Sequence, residues 1–199
     1  MIYQIRGSGA SGKTTLVRNF LKSCDKIEEM VYEKGVTSCK NIYYYRCTYK
    51  NKLFYVLGKY PEKGCGGCDN ITSKKNGVVR MINIVEELHS TGHNVIFEGL
   101  IASKVALRHI INSKVAKEKW VFILLETDLD TRLQNLIARR AEVSANPKHI
   151  TEKTLNTNVA DNKSIHNSFS RVEQAGYNSY RIPFKDAFLV FKTIVEKYL

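Results

Sequence analysis

Residues 7 to 14 read Gly7-Ser8-Gly9-Ala10-Ser11-Gly12-Lys13-Thr14, followed by Thr15, and fit the pattern G-x-x-x-x-G-K-[ST]. The residue types dictate a chemistry. Glycines let a backbone wrap closely around a polyphosphate, consecutive N–H groups at a helix N-terminus supply partial positive charge, a lysine there reaches the terminal phosphates, and the next hydroxyl can ligate Mg²⁺. Gly7 to Thr15 are therefore candidate ATP-binding residues. Lys13 is in addition a candidate catalytic group and Thr14 a candidate metal ligand.

Phosphoryl transfer to a hydroxyl also needs a carboxylate to orient or deprotonate the acceptor, and another polar group to organise Mg²⁺. Glu98 ends the apolar run Asn94-Val95-Ile96-Phe97, where a strand would deliver it to the carboxyl edge of a sheet. Asp69 follows Cys65-Gly66-Gly67-Cys68, whose glycines permit close backbone approach to a ligand. We take both as candidate catalytic residues, with Glu98 also a metal ligand and Asp69 favoured as the base. A helix-capping glutamate and a turn aspartate are the plain alternatives.

Other phosphate-loop classes fit less well. A GTPase needs Asn-Lys-x-Asp, yet Asn51-Lys52 and Asn162-Lys163 run on into Leu53-Phe54 and Ser164-Ile165. No transporter signature loop is found, and 199 residues are few for a motor. A phosphotransferase remains.

These groups need a scaffold, and the hydrophobic pattern supplies one. Strands are expected over 2–6, 42–48, 53–57, 94–97, 120–125 and 178–182, and helices from the glycine loop to about 22 and over 78–90, 103–113, 130–142, 164–175 and 184–198. Alternation of strand and helix implies an α/β protein with a mostly parallel sheet covered on both faces, here expected to have five strands. The runs 42–48 and 53–57 read as a β-hairpin insertion, and the polar stretch 143–163 as a mobile excursion. One domain is expected over 1–199, with 42–71 forming the hairpin and acceptor-binding part and 139–163 a lid.

Composition narrows the partners. There are 31 Lys+Arg against 19 Asp+Glu, a formal charge of +12, with 43% hydrophobic and 25% charged residues. That composition excludes disordered and fibrous classes. The basic excess is equal in the two halves, 15 against 9 in 1–100 and 16 against 10 in 101–199, so it is a distributed field rather than a tail. Such a field suits a polyanion, although solubility alone would also use it. Tyr43, Tyr44, Tyr45, Tyr49, Phe54, Tyr55 and Tyr60 interleave with Arg46, Lys50, Lys52, Lys59 and Lys63, a mixture that stacks bases and holds phosphates, although strand propensity alone also favours the rings. No apolar run approaches the roughly 18 residues of a membrane span, and the chain opens directly on a strand, so a cytoplasmic protein without a membrane partner is expected. The five cysteines argue against a disulfide framework; a zinc site from Cys39, Cys47, Cys65 and Cys68, or redox use of Cys65 and Cys68, are minor alternatives to simple packing.

Over nearly its whole length the chain resembles the small P-loop kinases related to nucleoside and nucleotide kinases. In that family the helix after the strand at 120–125 leads to an arginine-bearing lid, which the resemblance places at Arg132, Arg139 and Arg140. Arg132 and Arg139, seven residues apart, would share a helical face, and all three become candidate catalytic residues. Gly58-Lys59-Tyr60, Cys65-Gly66-Gly67-Cys68-Asp69-Asn70-Ile71 and Val95-Ile96-Phe97-Glu98-Gly99-Leu100 are further similar to bacteriophage P-loop kinases, among them those that phosphorylate 5-hydroxymethyluracil in DNA. That resemblance implies an enzyme using ATP and Mg²⁺ on the hydroxymethyl group of a modified pyrimidine in DNA, in the host cytoplasm. A kinase for free nucleosides or nucleotides, and a nucleic-acid-binding ATPase, are the alternatives.

Overall fold

The computed structural model describes residues 1–33, 41–72, 76–105, 107–144 and 149–199. Its strands are β1 (Ile2–Arg6), β2 (Lys26–Glu33), β3 (Ile42–Tyr49), β4 (Lys52–Leu57), β5 (Asn94–Glu98), β6 (Trp120–Glu126) and β7 (Asn178–Pro183). The α-helices are α1 (Lys13–Lys22), α2 (Asp69–Thr72), α3 (Gly77–Ser90), α4 (Leu100–Ser103), α5 (Leu107–Ile111), α6 (Leu129–Val143), α7 (Glu152–Gln174) and α8 (Ala187–Lys197). The strands form one sheet in the order β2-β3-β4-β5-β1-β6-β7.

Seven strands replace the expected five, and the reason lies in the hairpin. Lys50 and Asn51 both take positive φ, +48° and +61°, making a two-residue turn of the kind whose twist matches paired strands. β4 then pairs in parallel with β5, Phe54 opposite Asn94 through Leu57 opposite Phe97, so the hairpin is an integral part of the sheet and not an appendage. β4, β5, β1, β6 and β7 are mutually parallel, whereas β2 and β3 add antiparallel strands at one edge. β2 escapes the hydrophobic pattern because an edge strand partly open to solvent tolerates Glu28 and Glu29, while Ile27 and Val31 stay exposed.

Side-chain alternation divides the core in two. Tyr3, Ile5, Phe54, Val56, Ile96, Val121 and Ile123 face α1 and α8, and Ile2, Leu57, Val95, Phe97, Trp120 and Phe122 face α3, α5 and α7. Helices following β1 and β5 thus leave on opposite faces, which opens a crevice at the carboxyl ends of these adjacent strands. On the α1 side, Phe20 meets the rings of Tyr49, Phe54 and Phe191 at 5.2, 5.3 and 5.6 Å. Phe20→Ala should lower unfolding free energy by about 3–5 kcal/mol, read as a shifted urea midpoint at unchanged slope.

The stretch expected to be irregular up to residue 163 is helical from 152. Thr151 caps α7, its Oγ1 accepting from the Thr154 N–H at 3.2 Å. Asn156, Asn158 and Asn162 weaken the local helix signal, but burial of Asn158, Ile165, Phe169 and Val172 along one face decides the outcome. Residues 145–148 of the expected lid lie outside the described residues. Among the described residues no helix is long and apolar enough to cross a membrane.

Candidate functional site

The chain leaves the fully buried β1 at Arg6 and turns through Gly7–Gly12 into α1. Gly12 is at φ +94°, and a Cβ there would lie 2.6 Å from the Phe184 ring, so both backbone and neighbour demand glycine. Gly9 accepts a hydrogen bond from Asn158 Nδ2 at 3.2 Å, Ala10 one from Asn135 Nδ2 at 3.0 Å, and Ser11 one from Thr127 Oγ1 at 3.0 Å, all on backbone carbonyls. Gly7 N–H donates to Ser103 Oγ at 3.1 Å, tying the loop to the segment after β5. Lys13 is buried and folds back, its Nζ donating to the carbonyls of Gly7 and Ser8 at 2.8 and 2.9 Å. Burial lowers its pKa, and the nearby Glu98 and Asp69 oppose that shift.

Glu98 arrives at the end of β5, almost wholly buried, with Oε1 accepting from Thr14 Oγ1 at 2.9 Å. Burial drives its pKa up to about 7 and the charge of Asp69 adds to the rise, while Lys13 and the Thr14 hydroxyl pull the other way. Gly67 lies against this carboxylate: at φ +85°, its Cβ would sit 2.5 Å from Glu98 Oε1. Cys68 N–H donates to the Glu98 carbonyl at 2.8 Å, and Gly67 N–H to the Lys59 carbonyl at 2.9 Å, so residues 59–67 form a loop pinned at its neck. Asp69 Oδ1 accepts from Ile101 N–H at 3.2 Å, across the start of α4. One cleft of about 370 Å³ contains these groups, running from Phe184 and Arg139 along the glycine loop to Gly64–Gly66, with Asp69 and Glu98 among its lining.

Lys13, Thr14, Asp69, Glu98 and Arg139 therefore come together, as do Gly9 to Thr15. Arg132 does not line that cleft. It is buried behind the loop, Nη1 donating to Ser8 Oγ at 2.9 Å and Asn158 Oδ1 at 2.8 Å, so the shared helical face with Arg139 does not carry both guanidinium groups to one place. Arg140 also stands outside the cleft, donating to the His149 carbonyl at 2.9 Å. Of the hairpin rings, Tyr49, Phe54 and Tyr60 are core residues, and Tyr43, Tyr44, Tyr45 and Tyr55 are half-buried. Lys59 Nζ lies 4.3 Å from the centre of the Tyr43 ring.

Cys47, Cys65 and Cys68 do not converge. Cys47 is buried on the α1 side of the sheet, Cys68 donates to the Leu57 carbonyl on the opposite side, Cys65 is exposed in the cleft lining, and Cys39 lies outside the described residues. Among the described residues no group of three or more His, Cys, Asp or Glu side chains could hold a metal ion. Thr14 and Glu98 offer instead a hydroxyl and a carboxylate, hard oxygen donors of the kind that bind Mg²⁺ together with substrate phosphates. Thr127, Asn135 and Asn158 were invisible to motif reading, since single polar residues in separate elements carry no spacing signal until the fold brings them to one loop.

An open α/β sheet with a glycine turn, a helix N-terminus and two carboxylic acids at its carboxyl edge is a scaffold for binding an anionic ligand in that crevice. Among curated proteins, the chain is similar to one named 5-hmdU DNA kinase from Pseudomonas phage PaMx11, 31% identical over 134 residues, which are 67% of this chain and 64% of that protein. The matched part is thus just under two thirds of the relative's length. The resemblance to phage 5-hydroxymethyluracil DNA kinases read from the motifs is borne out by that similarity. No family model matches the chain, and no solved structure matches it.

Proposed function

We propose that this chain is an ATP-dependent P-loop kinase that phosphorylates the hydroxymethyl group of 5-hydroxymethyluracil in DNA. The observation that carries this reading is the convergence of Lys13, Thr14, Asp69 and Glu98 on one cleft beside the glycine loop. The name of the phage relative supports the acceptor, and the charge of +12 supports a polymeric one.

In this reading Lys13 leaves the Gly7 and Ser8 carbonyls for the donor's terminal phosphates, and Arg139 approaches them from α6. Thr14 and Glu98 would hold Mg²⁺, which when bound draws charge from the phosphoryl oxygens. Asp69 accepts the proton of the hydroxymethyl group as its oxygen bonds to the γ-phosphorus and the bond to the ADP oxygen breaks. Arg132 acts from behind the loop and Arg140 outside the cleft. A base within a duplex reaches the cleft only when flipped out or offered single-stranded.

Offering γ-labelled ATP with DNA containing 5-hydroxymethyluracil, with thymine-only DNA and with free 5-hydroxymethyldeoxyuridine tests the proposal. Label should enter only the first. Apparent affinity for that DNA should fall with salt at a log–log slope of a few units, roughly 0.7 to 0.9 per phosphate contact. Label in the free nucleoside alone would move the assignment to a nucleoside kinase, and ATP hydrolysis without a labelled acceptor to an ATPase.

A further inference from the structure

We propose that Thr127 and Asn158 are positioning residues that aim the amide groups of the glycine loop at the donor phosphates, an inference that rests on the kinase reading of the cleft. Across a trans peptide the carbonyl of one residue and the N–H of the next point in opposite directions. Three successive carbonyls, those of Gly9, Ala10 and Ser11, are each held by a side chain of a different element: Asn158 of α7, Asn135 of α6 and Thr127 just after β6. Each bond turns the following N–H to the other side of the chain. The N–H of Ser11 closes on the Ser8 carbonyl at 3.3 Å, whereas those of Ala10 and Gly12 meet no backbone carbonyl among the described residues. Both residues line the cleft.

Asn158 has a second task. Its Oδ1 accepts from Arg132 Nη1, which also donates to Ser8 Oγ, so α6 and α7 grip Ser8 and Gly9 jointly. A loop held at four consecutive residues presents its donors without reorganising when the phosphates arrive, and preorganisation of this kind appears directly as affinity. Asn135 also lines the cleft and could touch a ligand itself. Thr127 and Asn158 do not line it, so an effect of replacing either is transmitted through the loop.

The test is calorimetric titration of Mg·ATP into the full chain and into Thr127→Val, Thr127→Ser, Asn158→Leu and Ile165→Val. Ile165 is buried in α7 away from the loop and reports mere loss of α7 packing. Thr127→Val should weaken binding about tenfold, the scale of one lost buried hydrogen bond, and Asn158→Leu, which loses its bonds to both Gly9 and Arg132, by at least as much, whereas Thr127→Ser should bind within about twofold of the unaltered chain and Ile165→Val should bind equally. In turnover, KM for ATP should rise by the same factor while KM for the acceptor DNA stays constant. Unchanged affinity in Thr127→Val, or Thr127→Ser no better than Thr127→Val, overturns the positioning role even if the chain is a kinase. Failure of the unaltered chain to bind Mg·ATP would instead remove the kinase reading, and this inference with it.

Discussion

Lys13→Ala is expected to lower phosphoryl transfer by at least about 10²-fold, the scale of removing one preorganised charge from a transferring phosphoryl group, while the chain stays folded. The expectation follows from where the ammonium sits. Its bonds among the described residues go to carbonyls of its own loop, at 2.8 and 2.9 Å, and water admitted by the shortened side chain can satisfy both. Removing a partly desolvated cation also relieves the burial that lowers its pKa. The check is a urea melt beside a turnover assay: a midpoint close to that of the unaltered chain with turnover lost is the predicted pair. Turnover near the unaltered level would leave the glycine loop as a structural turn.

Glu98→Gln and Asp69→Asn should each reduce turnover by roughly 10²-fold or more, for different reasons that pH can separate. With Asp69 as base, its amide variant loses the acidic limb of the pH–rate profile and the Glu98 variant keeps it; the opposite pattern would exchange the roles. Glu98 also makes ligand-free stability depend on pH. Burial, which disfavours the anion, pushes the pKa of its carboxyl from the ordinary 4.5 up to about 7 in the folded protein. Below 4.5 both folded and unfolded forms carry the proton, between these values only the folded form does, and stability therefore declines as pH rises from about 4.5 to 7 and levels off above. Glu98→Gln should flatten that decline. The Mg²⁺ site proposed at Thr14 and Glu98 needs the carboxylate as its anion, so on that proposal Mg²⁺ binding below neutrality should release protons, measurable as a dependence of the binding heat on the buffer.

Much of this site was legible because its signals are local. The glycine loop sits between a strand and a helix that any reading of apolar periodicity finds, and Glu98 is delivered to the same edge by an uninterrupted apolar strand. What was missed depended on distant contacts. β2 has no clean alternation since it lies at an edge, and α7 starts twelve residues earlier than the sequence suggests because Asn158 is stabilised by the loop and by Arg132, partners more than twenty residues away. Arg132 illustrates the same limit. Helical spacing fixes which face of α6 it occupies, but the acceptors on Ser8 and Asn158 draw it behind the loop instead of into the cleft.

The pairing of β4 with β5 sets how this protein can be re-engineered. A tyrosine-rich hairpin leading into the cleft-lining segment Gly64–Gly66 invites exchange for another sequence. Here excision back to the glycine loop's helix would strip the backbone partners from Val95, Ile96 and Phe97, baring an apolar strand edge of the kind that recruits other chains. Grafts that respect this constraint must replace residues within β3 and the 59–66 loop while leaving Phe54–Leu57 as a cover strand. Chimaeras lacking that strand should be recovered as aggregates.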